Sequence, residues 1–152
     1  MTKNLRLLWV DDDATSLLRP LGLFFEREGW LVSAAADIST AEHLLRSEPF
    51  DVVLLDLVFD DPASWRSGGL GGLELAEKLQ NKELGPKNAD VPTLFLSVVP
   101  RDEIAEKTGE RWTAHYHFDK AALLDQDMIK QLLAALKQAA LARTKEGDEV
   151  ER

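Results

Sequence analysis

Fully apolar runs alternate with amphipathic segments along the chain. Runs such as LLWV at residues 7–10 and VVLL at 52–55 are apolar at every position, which is typical of strands buried on both faces of a parallel sheet. Between the runs, apolar residues recur three or four positions apart, which predicts helices with one buried face. Five strands are predicted, at residues 5–10, 30–35, 51–55, 93–97 and 115–118.

Each strand is followed by a predicted helix. The first helix ends at Gly29, and because Pro20 lies inside its apolar pattern, the helix either begins only a few residues before Pro20 or kinks there. The sequence STAE at residues 39–42 is a capping box that predicts the start of the second helix, which Pro49 closes. The other helices are predicted at residues 71–84, 102–107 and 125–143, with Gly71 and Gly72 as a hinge between loop and helix.

The strict alternation of strands and helices predicts an α/β fold, with a five-stranded parallel sheet covered by helices on both faces. A chain of 152 residues suits one domain, so we expect a single domain over residues 1–144 and a solvated tail over 145–152. In open α/β sheets, ligands bind beyond the carboxyl ends of the strands. That edge is where functional side chains are expected.

The composition and net charge of the chain indicate which kinds of molecule it binds. The chain has 27 acidic residues against 18 Lys and Arg, a net charge of −9, which argues against nucleic-acid binding through bulk electrostatics. There are no cysteines, which excludes disulfides and thiolate metal sites and is consistent with a cytoplasmic location. No apolar run approaches the roughly 18 residues of a membrane helix, and we find no signal-peptide pattern. Proteins or a cation are the expected partners.

Five polar residues follow or end four of the predicted strands. Acids at the ends of buried strands cannot all stay ionised close together unless a cation neutralises them. Mg²⁺ suits this role, because it takes oxygen ligands from one or two carboxylates and completes its shell with water and phosphate oxygens. The five residues expected to meet at this edge are Asp11, Asp12, Asp56, Ser97 and Lys120.

Several short motifs, in this order, resemble the receiver domain of two-component response regulators, of the chemotaxis-regulator type. They are WVDDD at 9–13, VVLLD at 52–56, GGLEL at 71–75, LFLS at 94–97 and FDK at 118–120. The resemblance covers roughly residues 5–140. It implies a flavodoxin-like, doubly wound sheet with the strand order 2-1-3-4-5.

The resemblance also implies a role for the acidic residues. Asp56 would be the phosphoacceptor, taking a phosphoryl group from phosphohistidine on a sensor histidine kinase or a phosphotransfer protein. Asp12 would bind Mg²⁺ directly, with Asp11 beside it or acting through water. Asp56 and the backbone carbonyl of Val58 would complete the protein ligands of the metal.

By the same resemblance, Lys120 would pair with Asp56 and then with a phosphoryl oxygen, while the Ser97 hydroxyl would bind another phosphoryl oxygen. Ser97 would move on phosphorylation, together with His117, which stands where the family often has Tyr or Phe. A histidine without a switching role is an equally open reading. The output would be altered contacts with a downstream protein, and homodimers are possible, through the face made by residues 102–107, 115–118 and 125–143. Slow self-dephosphorylation is expected, without turnover of a separate substrate.

Two other functions fit parts of this sequence less well. A receiver-like interaction module that phosphorylation does not regulate gains support from His117, Val98 and the long loop at 57–70, whose role the sequence does not decide. The presence of the full set of expected site residues argues against it: Asp12, Asp56, Ser97 and Lys120. A hydrolase of the haloacid dehalogenase type is disfavoured, because that class has a second Asp two residues after its nucleophile and this chain has Val58 there.

Overall fold

The computed structural model describes residues 4–12, 19–57, 71–97, 102, 117–119 and 125–150, and only the backbone of residues 19, 97, 117, 119 and 143–150. Its five strands form one parallel sheet in the order β2-β1-β3-β4-β5, which confirms the predicted fold class and strand order. The strands are β1 Arg6–Val10, β2 Leu31–Ala35, β3 Val52–Leu55, β4 Thr93–Ser97 and β5 His117–Asp119.

Four helices are described. Their bounds are α1 Arg19–Arg27, α2 Ile38–Ser47, α3 Gly71–Gln80 and α4 Gln126–Val150. Helices α1 and α4 pack on one face of the sheet, and α2 and α3 pack on the other. The helix predicted at residues 102–107 lies, apart from Asp102, outside the described residues.

The apolar strands bury alternate side chains in two separate cores, because successive residues of a strand point to opposite faces. Leu7 and Trp9 of β1 face α1 and α4, and the Trp9 ring meets Phe25 edge-on at 5.3 Å between ring centres. Leu8 and Val10 face α2 and α3. Burying one such side chain contributes about 1.5–3 kcal/mol, so the central strands are fixed by packing on both sides.

The start of α2 differs from the prediction. The helix begins at Ile38, and its N-cap is Asp37, whose Oδ1 accepts a hydrogen bond from the Thr40 backbone N–H at 2.7 Å. The predicted capping box at 39–42 was therefore wrong. Its Glu42 instead forms an ion pair with Lys78 of α3, at 2.7 Å.

The start of α1 and the end of α4 can be compared with the bounds predicted from the sequence. Pro20 is the second residue of the described part of α1, which begins at Arg19. The predicted choice between a start just before Pro20 and a kink depends on residues 13–18, which lie outside the described residues. Helix α4 continues to Val150, seven residues beyond the predicted end at 143. Extending a formed helix is easier than starting one, because each added residue gains a hydrogen bond.

Helices α1 and α3 end in the same hydrogen-bonded turn. At α1, Gly29 has a φ of 87°, and the N–H of the following Trp30 bonds to the Phe25 carbonyl. At α3, Lys82 has a φ of 60°, and the N–H of Glu83 bonds to the Lys78 carbonyl. Both are Schellman turns, which need a left-handed residue. The predicted end of α1 at Gly29 is confirmed, whereas α3 ends at Gln80 and not at 84.

Replacing Lys82 with glycine should therefore stabilise the domain. A residue with a side chain pays roughly 1–2 kcal/mol to adopt the left-handed conformation, and glycine removes this strain. Part of the gain is offset, because glycine makes the unfolded chain more flexible and so stabilises the unfolded state. We expect a net gain of about 0.5–1 kcal/mol in the free energy of unfolding, measured by urea denaturation. Gly29→Ala is the matched reverse change, since no atom lies within 4 Å of the added Cβ, and it should destabilise the domain. Equal stability of Lys82→Gly and the parent chain would contradict the argument.

One buried polar side chain joins three segments on the α2 and α3 side of the sheet. Asn88 is only 1% exposed, and its Oδ1 accepts a hydrogen bond from the Phe50 N–H at 2.8 Å. Its amide donates to the backbone carbonyls of Leu45 and Glu48, each at 2.7 Å. Asn88 thereby ties the end of α2 and the start of β3 to the loop before β4.

Candidate metal site

Three carboxylates lie at the carboxyl edge of the sheet, on two neighbouring strands. Asp11 and Asp12 follow β1 directly, and Asp56 follows β3. Because β1 and β3 run parallel with Val10 opposite Leu55, the residues that follow these two emerge side by side. The structure thus brings together the three acids that the sequence placed at this edge.

Backbone hydrogen bonds hold the first residue beyond each strand. The Asp56 N–H donates to the Val10 carbonyl at 2.8 Å, and the Asp11 N–H donates to the Ala35 carbonyl at 2.9 Å. The bonding pattern of the sheet therefore continues one residue past the ends of β1 and β3. Both carboxylates are carried by backbone that the sheet itself holds in place.

The side chains of Asp11, Asp12 and Asp56 each offer a carboxylate oxygen, and these oxygens lie within 4.8 Å of one another. Asp11 and Asp56 are buried, at 0% and 3% exposure, whereas Asp12 is more exposed. Two ionised carboxylates within that distance repel by at least about 3.5 kcal/mol at an effective dielectric constant of about 20. A cation between them removes this repulsion. Oxygen ligands suit hard divalent ions such as Mg²⁺ or Ca²⁺, so the residues present fit a metal of that kind.

The start of α3 lies directly against the backbone that carries Asp56. The Gly72 N–H bonds to the Leu57 carbonyl at 3.2 Å. A Cβ added at Gly72 would lie 2.0 Å from the Asp56 carbonyl oxygen and 2.6 Å from the Leu57 Cα. Gly72 is therefore required for this close approach, a role that the sequence analysis missed when it treated the glycine pair as a hinge. The available signal was a glycine inside a predicted helix, which often marks close packing.

Comparisons with known proteins bear on the fold. Neither a protein-family model nor a curated protein matches the sequence. A CheY-like response regulator receiver domain protein from Methanospirillum hungatei JF-1 is 22% identical, with a TM-score of 0.70, over 95% of this chain and 99% of that chain. The receiver domain of the Francisella response regulator 1452 is 20% identical, with a TM-score of 0.67, over 92% of this chain and 99% of that chain.

The chain has the fold of a response regulator receiver domain. A third similar structure is a response regulator from Burkholderia pseudomallei, 23% identical with a TM-score of 0.60, over 96% of this chain and 75% of that chain. That protein contains a phosphorylated aspartic acid, a calcium ion and citrate. The resemblance inferred from the sequence motifs is thus confirmed for the fold.

The remaining predicted site residues of the receiver fold are described less completely. Ser97 is the last residue of β4 and pairs with Asp119 of β5, so its backbone lies at the same edge of the sheet as Asp56. His117 begins β5, opposite Phe95. The side chains of Ser97 and His117 lie outside the description, as do Val58 and Lys120 altogether. Of the long loop at residues 57–70, only Leu57 belongs to the described residues.

None of the helices in the described residues combines the length and the hydropathy that a membrane span requires.

Proposed function

We propose that the chain is a phosphoaccepting receiver of a two-component phosphorelay, and that Asp56 is the residue that takes the phosphoryl group. The observation that carries the proposal is the grouping of Asp56 with Asp11 and Asp12, within 4.8 Å, at the carboxyl edge of a receiver-type sheet. Two acids are buried at one edge of an otherwise apolar strand pair, and burying a charge costs free energy unless the charge is paired or binds a metal.

The proposed reaction is transfer of a phosphoryl group from phosphohistidine. A carboxylate oxygen of Asp56 forms a bond to phosphorus, and the bond from phosphorus to the donor imidazole nitrogen breaks, with its electron pair going to that nitrogen. The product is an acyl phosphate, which water later hydrolyses. Its limited lifetime suits a signal that resets, and the chain carries a phosphoryl group without turning over a separate substrate.

The other site residues would position and neutralise charge, which is the main demand of phosphoryl transfer. Asp11, Asp12, Asp56 and the Val58 carbonyl would hold Mg²⁺, and the bound ion would supply positive charge to the phosphoryl oxygens. Lys120 would pair with a further phosphoryl oxygen. The Ser97 hydroxyl would donate to another, and its movement would be coupled to that of His117.

The proposed partners are a sensor histidine kinase or phosphotransfer protein as donor and a downstream protein as target, in the cytoplasm. Phosphorylation would bias a two-state equilibrium, because the phosphoryl group binds Ser97 and Lys120 in only one of the two states. The contact surface would be the face built from β5, α4 and residues 102–107, through which two copies of the chain would also pair.

The test is phosphorylation by acetyl phosphate. With Mg²⁺ present, intact-mass measurement should show a gain of one phosphoryl group, which excess EDTA prevents because the transfer needs the metal. Asp56→Asn should abolish the gain. Asp90→Asn, which changes an exposed acid in the loop before β4, is the matched control and should leave it intact.

Failure of the parent chain to gain a phosphoryl group, or an equal gain by Asp56→Asn, would contradict the proposed function. The first outcome would favour the second reading of the sequence, an interaction module with a receiver fold that phosphorylation does not regulate. A phosphoryl gain in EDTA would refute the role of the metal.

A further inference from the structure

A cavity of about 600 Å³ opens at the end of the sheet opposite to the three carboxylates. Its walls are the residues before β1 and β3, the turn between α1 and β2, and one side of α4. This volume lies within the range of small-molecule sites, about 300–1,000 Å³. Its apolar lining consists of Leu5, Trp30, Leu133, Ala134 and Leu141.

Within the part of the chain that the structure describes, the apolar lining is incompletely covered. Leu141 and Trp30 both line the cavity, and Leu141 is 43% exposed whereas Trp30 is buried. Leu133 and Leu141 lie two turns apart on α4, with Ala134 beside them, so they form a stripe along one side of the helix. Water in contact with this stripe would be released by an occupant with an apolar body, which favours binding.

The charged lining residues are divided between two walls. Lys130 and Lys137 lie on α4, while Glu28 and Asp51 lie on the side of the strand ends. Among the described residues, neither lysine forms an ion pair, and nor does Glu28. One oxygen of Asp51 accepts a hydrogen bond from the Arg6 N–H at 2.7 Å. The cavity thus offers cations on one wall and carboxylates on the other.

This division of charge selects between kinds of ligand. A simple anion would be attracted by the lysines but repelled by Glu28, by Asp51 and by the net charge of −9. A simple cation would be attracted by the carboxylates and by the net charge, but it would be repelled by the two lysines on the other wall. A molecule that carries one charge of each sign around an apolar body finds a partner for both. From this complementarity we infer that the cavity binds a small zwitterion with an apolar body, of the class of short apolar peptides with free termini.

In the bound arrangement, the ligand carboxylate faces Lys130 and Lys137, its ammonium group faces Glu28 and Asp51, and its apolar side chains lie against Trp30. This site is separate from the metal site and does not depend on Asp56 being phosphorylated.

The test uses the tripeptide Leu-Ala-Leu as the probe, with the whole chain. Isothermal titration should show one binding site, and NMR should show a shift of the Trp30 indole N–H signal, assigned with Trp30→Phe. Acetylating the amino end or amidating the carboxyl end of the peptide should each weaken binding by about fivefold, the effect of losing one partly exposed ion pair. Lys137→Gln should weaken binding of the free peptide more than that of the amidated one.

Ala134→Gln, which places a longer side chain in the cavity, should weaken binding at least tenfold. Ala142→Gln is its matched control, because Ala142 is also exposed on α4 but does not line the cavity, and it should bind as the parent chain does. Absence of heat and of NMR shifts at millimolar peptide would overturn the inference. Equal affinity for the free and the doubly blocked peptide would overturn it too, as would binding that Ala134→Gln leaves unchanged.

Discussion

Gly72→Ala is expected to lower the free energy of unfolding by about 2–4 kcal/mol. The added Cβ would lie 2.0 Å from the Asp56 carbonyl oxygen and 2.6 Å from the Leu57 Cα. Both atoms belong to the backbone, so no side-chain rotation relieves the collision. Either α3 moves away from the sheet or the backbone of Asp56 is displaced, and the second response also disturbs the three carboxylates. Urea denaturation in EDTA measures the loss of stability, and titration with Mg²⁺ measures the effect on the site.

Gly22→Ala is the matched control for this change. Gly22 also lies in a helix, but a Cβ there would meet only the Trp9 ring, at an ordinary contact distance of 3.5 Å. Alanine is favoured over glycine inside a helix by about 1 kcal/mol, so this variant should be more stable than the parent chain. The two substitutions are thus predicted to have opposite signs. A Gly72→Ala protein as stable as the Gly22→Ala protein would refute the packing argument.

The strands were predictable because burial on both faces leaves a direct trace in the sequence. β4 matches its predicted bounds of 93–97, and β1 and β3 each begin one residue later than predicted. The grouping of Asp11 and Asp56 followed from the same reasoning, since adjacent parallel strands end at one edge. What the sequence alone did not provide was the strand order, which came from the resemblance to receiver domains.

The ends of the helices were less predictable, because several local motifs compete for the same backbone groups. Asp37 and the sequence at 39–42 are both suitable caps, and the choice depends partly on Glu42, whose partner Lys78 is 36 positions away. At the end of α3, Lys82 adopts a conformation that a sequence pattern assigns to glycine. Neither an ion pair with a distant residue nor a strained backbone conformation can be predicted from the local sequence.

Asn88 is the clearest case of a residue whose role only the fold reveals. It lies in a polar stretch that is typical of a loop, yet its side chain makes three hydrogen bonds, two of them buried and one partly buried, to residues 38 to 43 positions away. Polar groups of this kind stabilise little when satisfied, but cost much when a partner is removed. Its replacement is therefore the second change for which we expect a large effect.

Asn88→Asp should destabilise the domain by about 3–5 kcal/mol near neutral pH. The new side chain still accepts from the Phe50 N–H, but it loses both N–H donors and places a negative oxygen near the Leu45 and Glu48 carbonyls, where the amide nitrogen is 2.7 Å from each. Protonation of the introduced carboxyl restores one donor, so the deficit relative to the parent chain should shrink as the pH is lowered. Urea denaturation at several pH values measures both effects.

Asn81→Asp is the control, since Asn81 is exposed just beyond α3. Its only expected penalty is an unfavourable charge near a helix carboxyl end, below about 1 kcal/mol. A deficit of similar size in both variants, or one in Asn88→Asp that does not change with pH, would show that Asn88 does not act through its two donated hydrogen bonds. If the deficit is large and declines in acid, the position of the loop before β4, and with it the start of the strand that ends at Ser97, depends on this one amide.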